Sequence, residues 1–151
     1  MSTVLGSAAR SDIPRLVELL GVLFSQEREF SPNPDKQSEA LEAILADRSR
    51  GRIFVAREGS EVVGMASLLY TVSTASGGKA ALFEDLIVDP QHRRKGVGTK
   101  LVNYVIQQAR AEGVLRITLL TDLENDTALG LYRKLGFVDS PMKPMRLHLK
   151  P

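Results

Sequence analysis

Residues 87–101 read Ile87-Val88-Asp89-Pro90-Gln91-His92-Arg93-Arg94-Lys95-Gly96-Val97-Gly98-Thr99-Lys100-Leu101. An apolar strand ends at Asp89-Pro90, a basic loop follows, and Gly96-Val97-Gly98 opens an amphipathic helix. That order builds an anion site, because the N–H groups of the loop and first helical turn point one way, unpaired, at the positive end of a helix dipole. The glycines let a phosphate come close to the backbone, and Arg93, Arg94, Lys95 and Lys100 surround it with charge. Two familiar phosphate motifs do not fit. A Walker loop needs G-x-x-x-x-G-K-S/T, whereas the order here is Gly98-Thr99-Lys100 with no glycine at the required distance before it. A dinucleotide fingerprint needs a third glycine where Leu101 stands.

What does fit is Arg93-x-x-Gly96-x-Gly98 after a strand, which resembles the Q/R-x-x-G-x-G/A signature of the GCN5-related N-acetyltransferase (GNAT) superfamily. A second stretch, Asn125-Asp126-Thr127-Ala128-Leu129-Gly130-Leu131-Tyr132-Arg133-Lys134-Leu135-Gly136-Phe137, is similar to the N-x-x-A-x-x-L/F-Y-x-K-x-G-F segment of the same family. It follows the loop with a helix and a strand between, as in that family. The run Phe83–Val88 before the loop resembles the fourth strand of the fold. The resemblance implies an α+β GNAT fold: a central mixed, mostly antiparallel sheet flanked by helices and splayed between strands 4 and 5. It covers residues 1–151 as a single domain.

Composition agrees with a soluble globular chain: 151 residues, 43% hydrophobic and 25% charged. A chain of this length buries a substantial core. No apolar run reaches the ~18 residues of a membrane span, and Met1-Ser2-Thr3 begins no basic-then-apolar leader. Zero cysteines exclude a disulfide scaffold and a thiolate nucleophile, and two histidines, His92 and His148, suggest no metal. A cytoplasmic location without membrane or nucleic-acid partners is expected, since a net charge of +2 matters only where it clusters.

Along the chain, Thr3–Leu5 reads as a short strand. Ser11 or Asp12 caps a helix carrying Ile13, Leu16, Val17, Leu20, Leu23 and Phe24 at helical spacing. Ser31-Pro32-Asn33-Pro34 breaks it, and Ala40, Leu41, Ile44 and Leu45 mark a second helix. Arg52–Arg57 and Val62–Tyr70 form a hairpin around Glu58-Gly59-Ser60, and a polar loop, Thr71–Lys79, precedes the strand Ala80–Val88. The helix after Gly98 buries Leu101, Val102, Val105, Ile106 and Ala109 and stops at Gly113. Arg116–Thr121 is a strand, a short helix runs to Leu135 under a Gly136 cap, and Met145–Leu149 reads as a final strand.

The resemblance makes acetyl-coenzyme A (acetyl-CoA) the ligand of the loop, with no metal. Backbone groups from Arg94 through Lys95, Gly96, Val97, Gly98 and Thr99 are expected to hold its pyrophosphate, with Arg93 and Arg94 on the phosphate side. The backbones of Leu86, Ile87 and Val88 are expected along the pantetheine arm, and a strand bulge there would aim an N–H at the thioester carbonyl. Amide formation also needs a neutral amine and a protonated leaving thiolate. Glu84 is the candidate base, since a carboxylate in an apolar strand is expensive to bury without a role. Alternation puts Asp85 on the opposite face, where it reads as structural. Tyr132 aligns with the residue that protonates the departing sulfur in many family members; by position it also pairs with Phe137 in a Schellman cap. Asn125 caps the short helix and, by resemblance, touches the cofactor arm. His92 reads as solvated.

The expected activity is acetyl transfer from acetyl-CoA to a primary amine by direct attack in a ternary complex, on a small-molecule or peptide amine. The alternative is a non-catalytic acyl-CoA sensor. The acceptor would approach between the Ser25–Lys36 connection, with Glu27, Glu29 and Asp35, and the Thr71–Lys79 loop. A homodimer is compatible with the resemblance, and the final strand could contribute to it.

Overall fold

The structure, a computed structural model, describes residues 2–27 and 30–150; Glu29 lies outside them. It contains two compact units, Met1–Leu120 and Thr121–Pro151.

In the first unit, β1 (Thr3–Ser7), β2 (Gly51–Glu58), β3 (Glu61–Ser73), β4 (Gly78–Val88) and β5 (Ile117–Leu119) form one sheet in the order β1-β2-β3-β4-β5. The first four are antiparallel, and β5 runs parallel to β4, so the sheet is mixed, as expected. β5 pairs with β4 only from Ala81↔Ile117 to Phe83↔Leu119, although β4 continues to Val88. The two strands therefore part at the segment that leads into the basic loop.

Helices α1 (Ile13–Gln26) and α2 (Pro34–Ala46) cover one face. Leu16, Leu19 and Leu20 of α1 and Leu41 of α2 pack with Ile53, Val55, Met65 and Ile87 of the sheet. Each such side chain withdrawn from water contributes about 1.5–3 kcal/mol before conformational entropy is charged against it. Helix α3 (Val97–Ala111) covers the other face, burying Val97, Leu101, Val102, Val105 and Ala109. It packs close to the sheet at Gly64, where a Cβ would stand 3.3 Å from the Ile87 carbonyl and 3.5 Å from Val97.

Several sequence expectations change. Asp12 occupies the cap position of α1 without capping it; its carboxylate accepts from Ala9 N–H (2.8 Å) and from both Arg57 terminal nitrogens (2.9 and 2.6 Å). Pro34 does not end the break but begins α2, which Asn33 caps at Lys36 N–H. The expected loop Thr71–Lys79 is mostly strand: Thr71, Val72 and Ser73 pair with Ala80, Lys79 and Gly78, leaving only residues 74–77 as a turn. Ladder bonds satisfied the polar backbone there, which composition could not reveal. The strand expected at Arg116–Thr121 shrinks to Ile117–Leu119.

The second unit holds α4 (Asp126–Lys134), capped by Asn125 at Ala128 N–H (3.2 Å). Its C-terminus is the expected Schellman cap. Phe137 N–H donates to Tyr132 C=O (3.0 Å), Gly136 N–H to Arg133 C=O (3.1 Å), and Gly136 has φ +102°. The Tyr132 and Phe137 rings meet edge to face at 5.7 Å. The final strand expected at Met145–Leu149 does not form: residues 137–150 carry no strand, and Met145, Leu147 and Leu149 are each more than four-fifths exposed. Alternation supplies a face for burial but not a partner strand. Among the described residues, no helix is long and apolar enough to cross a membrane.

Candidate active site

The strand β4 is interrupted where the sequence placed its acidic pair. Met65↔Ile87 and Ser67↔Glu84 are successive pairings, so two steps along β3 answer three along β4. The extra residue is a β-bulge at Asp85-Leu86, and Asp85 adopts φ +58°. Among the described residues the only other non-glycine with positive φ is Arg94, at +64°. Such conformations cost on the order of 1–3 kcal/mol each and concentrate at functional sites.

The bulge overturns the alternation argument for Asp85. By strand parity Glu84 shares its face with Ser67 and Met65, the side of α1 and α2. Asp85 then lines a cavity on that same side, about 210 Å³, between α1 and α2. Burial, together with the charges of Glu84 and Glu27, pushes the Asp85 carboxyl up from 3.8 to about 7. Glu84 is exposed. Opposite it, Ser67 is 1% exposed, and its hydroxyl has no hydrogen-bond partner. Sequence reading had no signal for Ser67, a small residue in an apolar strand.

The loop is held at its base. Asp89 accepts from Gln91 N–H (2.9 Å) and from the Arg15 guanidinium, which also donates to Val62 C=O (2.9 Å). His92 is not solvated: its side chain is 16% exposed, with Nε2 3.3 Å from the Glu58 carboxylate. Beyond it the backbone turns through Arg94 and through Gly96 at φ +79°, where space is open and only the conformation demands glycine. No side chain caps α3, and the first helical bond runs from Lys100 N–H to Gly96 C=O (3.1 Å). The N–H groups of Val97, Gly98 and Thr99 therefore have no acceptor within the helix. Arg94, Lys95 and Lys100 are exposed around them. Arg93 is also exposed, but its Nε donates back to Val88 C=O (3.2 Å) at the end of β4. Leu86 and Val88 are half-buried and Ile87 is buried, in the part of β4 that β5 does not pair.

Thus Glu84, Asp85, Leu86–Val88 and the loop through Thr99 form one continuous stretch of the first unit. Asn125 and Tyr132 belong to the second. There Tyr132 is 8% exposed, and burial pushes its hydroxyl up to about 12.

These features define a class: a mixed-sheet α+β protein with a basic, uncapped turn between a bulged strand and the helix after it. Within that class the chain belongs to the GNAT acetyltransferase family, whose model matches residues 15–137. It is 34% identical over 106 residues to N-acetyltransferase family 8 member 2 of Rattus norvegicus, covering 66% of this chain and 47% of that protein. The chain thus spans about half the length of that curated relative. Over 144 residues it is 30% identical to the glucosamine 6-phosphate N-acetyltransferase of Trypanosoma brucei brucei, covering 92% of this chain and 90% of the relative. A crystal structure of an integron cassette protein from the mobile metagenome of Cole Harbour Salt Marsh superposes with a TM-score of 0.85 at 30% identity, covering 97% of this chain and 91% of that one.

Proposed function

We propose that this protein transfers an acetyl group from acetyl-CoA to a primary amine by direct attack, with Asp85 as the group that receives the amine's proton. The observation that carries this reading is the bulge. It turns a carboxyl into a cavity beside the open edge of β4 and holds it near pH 7, where it is both basic enough to take a proton and able to lose it again. Glu84, the base expected from the sequence, then acts through its charge, which helps keep Asp85 basic.

The residues of the loop suit the donor. Uncapped N–H groups of Val97–Thr99, the opened backbone at Arg94 and Gly96, and the cations around them match a pyrophosphate. Acetyl-CoA supplies an activated acyl carbon. As the new C–N bond forms and the C–S bond breaks, Asp85 accepts the amine's proton and the Tyr132 hydroxyl provides one to the leaving sulfur. The Tyr132 role comes from the family resemblance; its hydroxyl, pushed up to about 12 by burial, carries its proton at neutral pH as any phenol does. A bulge takes a backbone N–H out of the ladder, and the family resemblance assigns that N–H to the thioester carbonyl, where it would stabilise the developing oxyanion.

The test is thiol release from acetyl-CoA with an amine panel. Asp85→Asn should lower kcat about 100-fold or more, and Glu84→Gln should have a smaller effect. Equal effects of the two substitutions would remove Asp85 from its assigned place.

A further inference from the structure

The geometry points to an acceptor of a specific kind: a primary amine carrying one compact apolar group, branched aliphatic or phenyl, which enters the gap between α1 and α2 while the amine meets Asp85. This inference rests on the acetyl-transfer reading above and narrows it.

The cavity at Asp85 holds about 210 Å³. Its walls are mostly apolar, from Leu20 and Phe24 of α1 and Leu41 and Ile44 of α2, with Gln37, Lys36 and Asp85 as its polar members. A cavity of about 150 Å³ lined by such side chains accepts benzene, so the space suits a phenyl or a branched chain of similar bulk. An amino sugar presents several hydroxyls, more than Gln37 and Lys36 can answer, and the rest would face hydrocarbon without a partner. A polyamine needs further carboxylates along its length. Here the wall beyond Asp85 is apolar, and Lys36 would repel a second ammonium group. A single ammonium is well matched, because Asp85, Glu84 and Glu27 lie close enough to feel one another's charge. The cluster of carboxyl groups and the apolar walls thus select the same molecule.

The chemistry is that of the transfer itself: the amine nitrogen bonds to the acetyl carbon, the thiolate departs, and the amine's proton passes to Asp85. Specificity resides in the apolar group, for which one methylene in a hydrophobic pocket changes kcat/KM by about tenfold or more.

The experiment compares phenethylamine and 3-methylbutylamine with glucosamine 6-phosphate and spermidine in the thiol-release assay. Calorimetry of phenethylamine binding runs in parallel on the protein without donor. Ala40→Phe fills the cavity from an exposed position of α2 that lines it. The two apolar amines are expected to show kcat/KM at least tenfold above the other two, and Ala40→Phe should remove both that preference and the calorimetric signal at an unchanged melting temperature. A preference for the sugar phosphate or for spermidine overturns the inference and leaves the acetyl-transfer reading standing. So does an Ala40→Phe protein that still prefers phenethylamine. If no amine is acetylated, the transfer reading fails. Binding of phenethylamine, abolished by Ala40→Phe, would then uphold the pocket's selectivity on its own, and absence of binding would overturn it.

Discussion

At the scale of single residues, the protonation of Asp85 makes the sharpest demand. Folded, its carboxyl holds a proton up to about pH 7; unfolded, only to about 3.8. Its contribution to stability is therefore complete below about pH 4 and is lost as pH rises through about 7. Asp12, held low by the Arg57 guanidinium, and Asp89, held low by the Gln91 N–H, behave oppositely and lose their contributions only as pH falls below the ordinary carboxylate range. The melting temperature should accordingly decline between pH 4 and pH 7, and Asp85→Asn should flatten that slope in a thermal-shift series. Activity runs the other way, rising through about pH 7 as the base form appears. Ser67 offers a different check. Its buried hydroxyl has no partner, and such a group costs about 1–3 kcal/mol. Ser67→Ala should leave the melting temperature unchanged or raise it, and a fall in kcat at that stability would show the hydroxyl serving the reaction. Tyr132→Phe keeps the ring that packs on Phe137, so it should depress kcat well beyond any change in acetyl-CoA affinity.

At the scale of elements, two turns decide what the strands and helices can do. The loop from Asp89 to Gly96 was readable because its glycines and cations sit at fixed intervals; in the structure the helix after it starts uncapped and the backbone turns left-handed at Arg94 and Gly96. Gly96→Ala places a Cβ in the left-handed region, costing about 1–2 kcal/mol. Its effect should appear as a raised KM for acetyl-CoA with kcat less affected, measured by steady-state kinetics. The Schellman cap of α4 was equally legible, since Gly136 and Phe137 declare it in sequence. The bulge of β4 was not. Nothing in Phe83-Glu84-Asp85-Leu86-Ile87-Val88 marks an extra residue, because a bulge is a mismatch between two strands rather than a property of one. The same reason explains the Met145–Leu149 error: a strand exists only with its partner.

At the scale of the whole first unit, Arg15 ties together pieces that are far apart in the chain. From α1 it reaches Val62 of the β2–β3 hairpin, Glu61 beside it, and Asp89 at the root of the loop. His92 meets Glu58 of the same hairpin. The loop is therefore anchored to the helix face opposite α3, as well as to the strand that precedes it. Arg15→Ala should cost about 1–3 kcal/mol in denaturant unfolding, since it strips charged hydrogen bonds from a half-buried carboxylate. It should also weaken acetyl-CoA binding in calorimetry, although Arg15 lies on a different element from the loop.

By itself the sequence determined the family, the sheet-and-helix order up to the final strand, and the glycine-and-cation turn before α3, because those depend on local spacing: glycine at a left-handed position, apolar residues at helical intervals, cations beside a helix start. Only the tertiary structure decided which carboxyl is pushed up and what surrounds it. Asp85 became the carboxyl that lines the gap because β3 and β4 pair out of step, and α1 and α2 meet beside it to leave a largely apolar space. Desolvation and neighbouring charge act through space, and the residues responsible, Glu27, Glu84 and the walls of two helices, come from separate stretches of the chain.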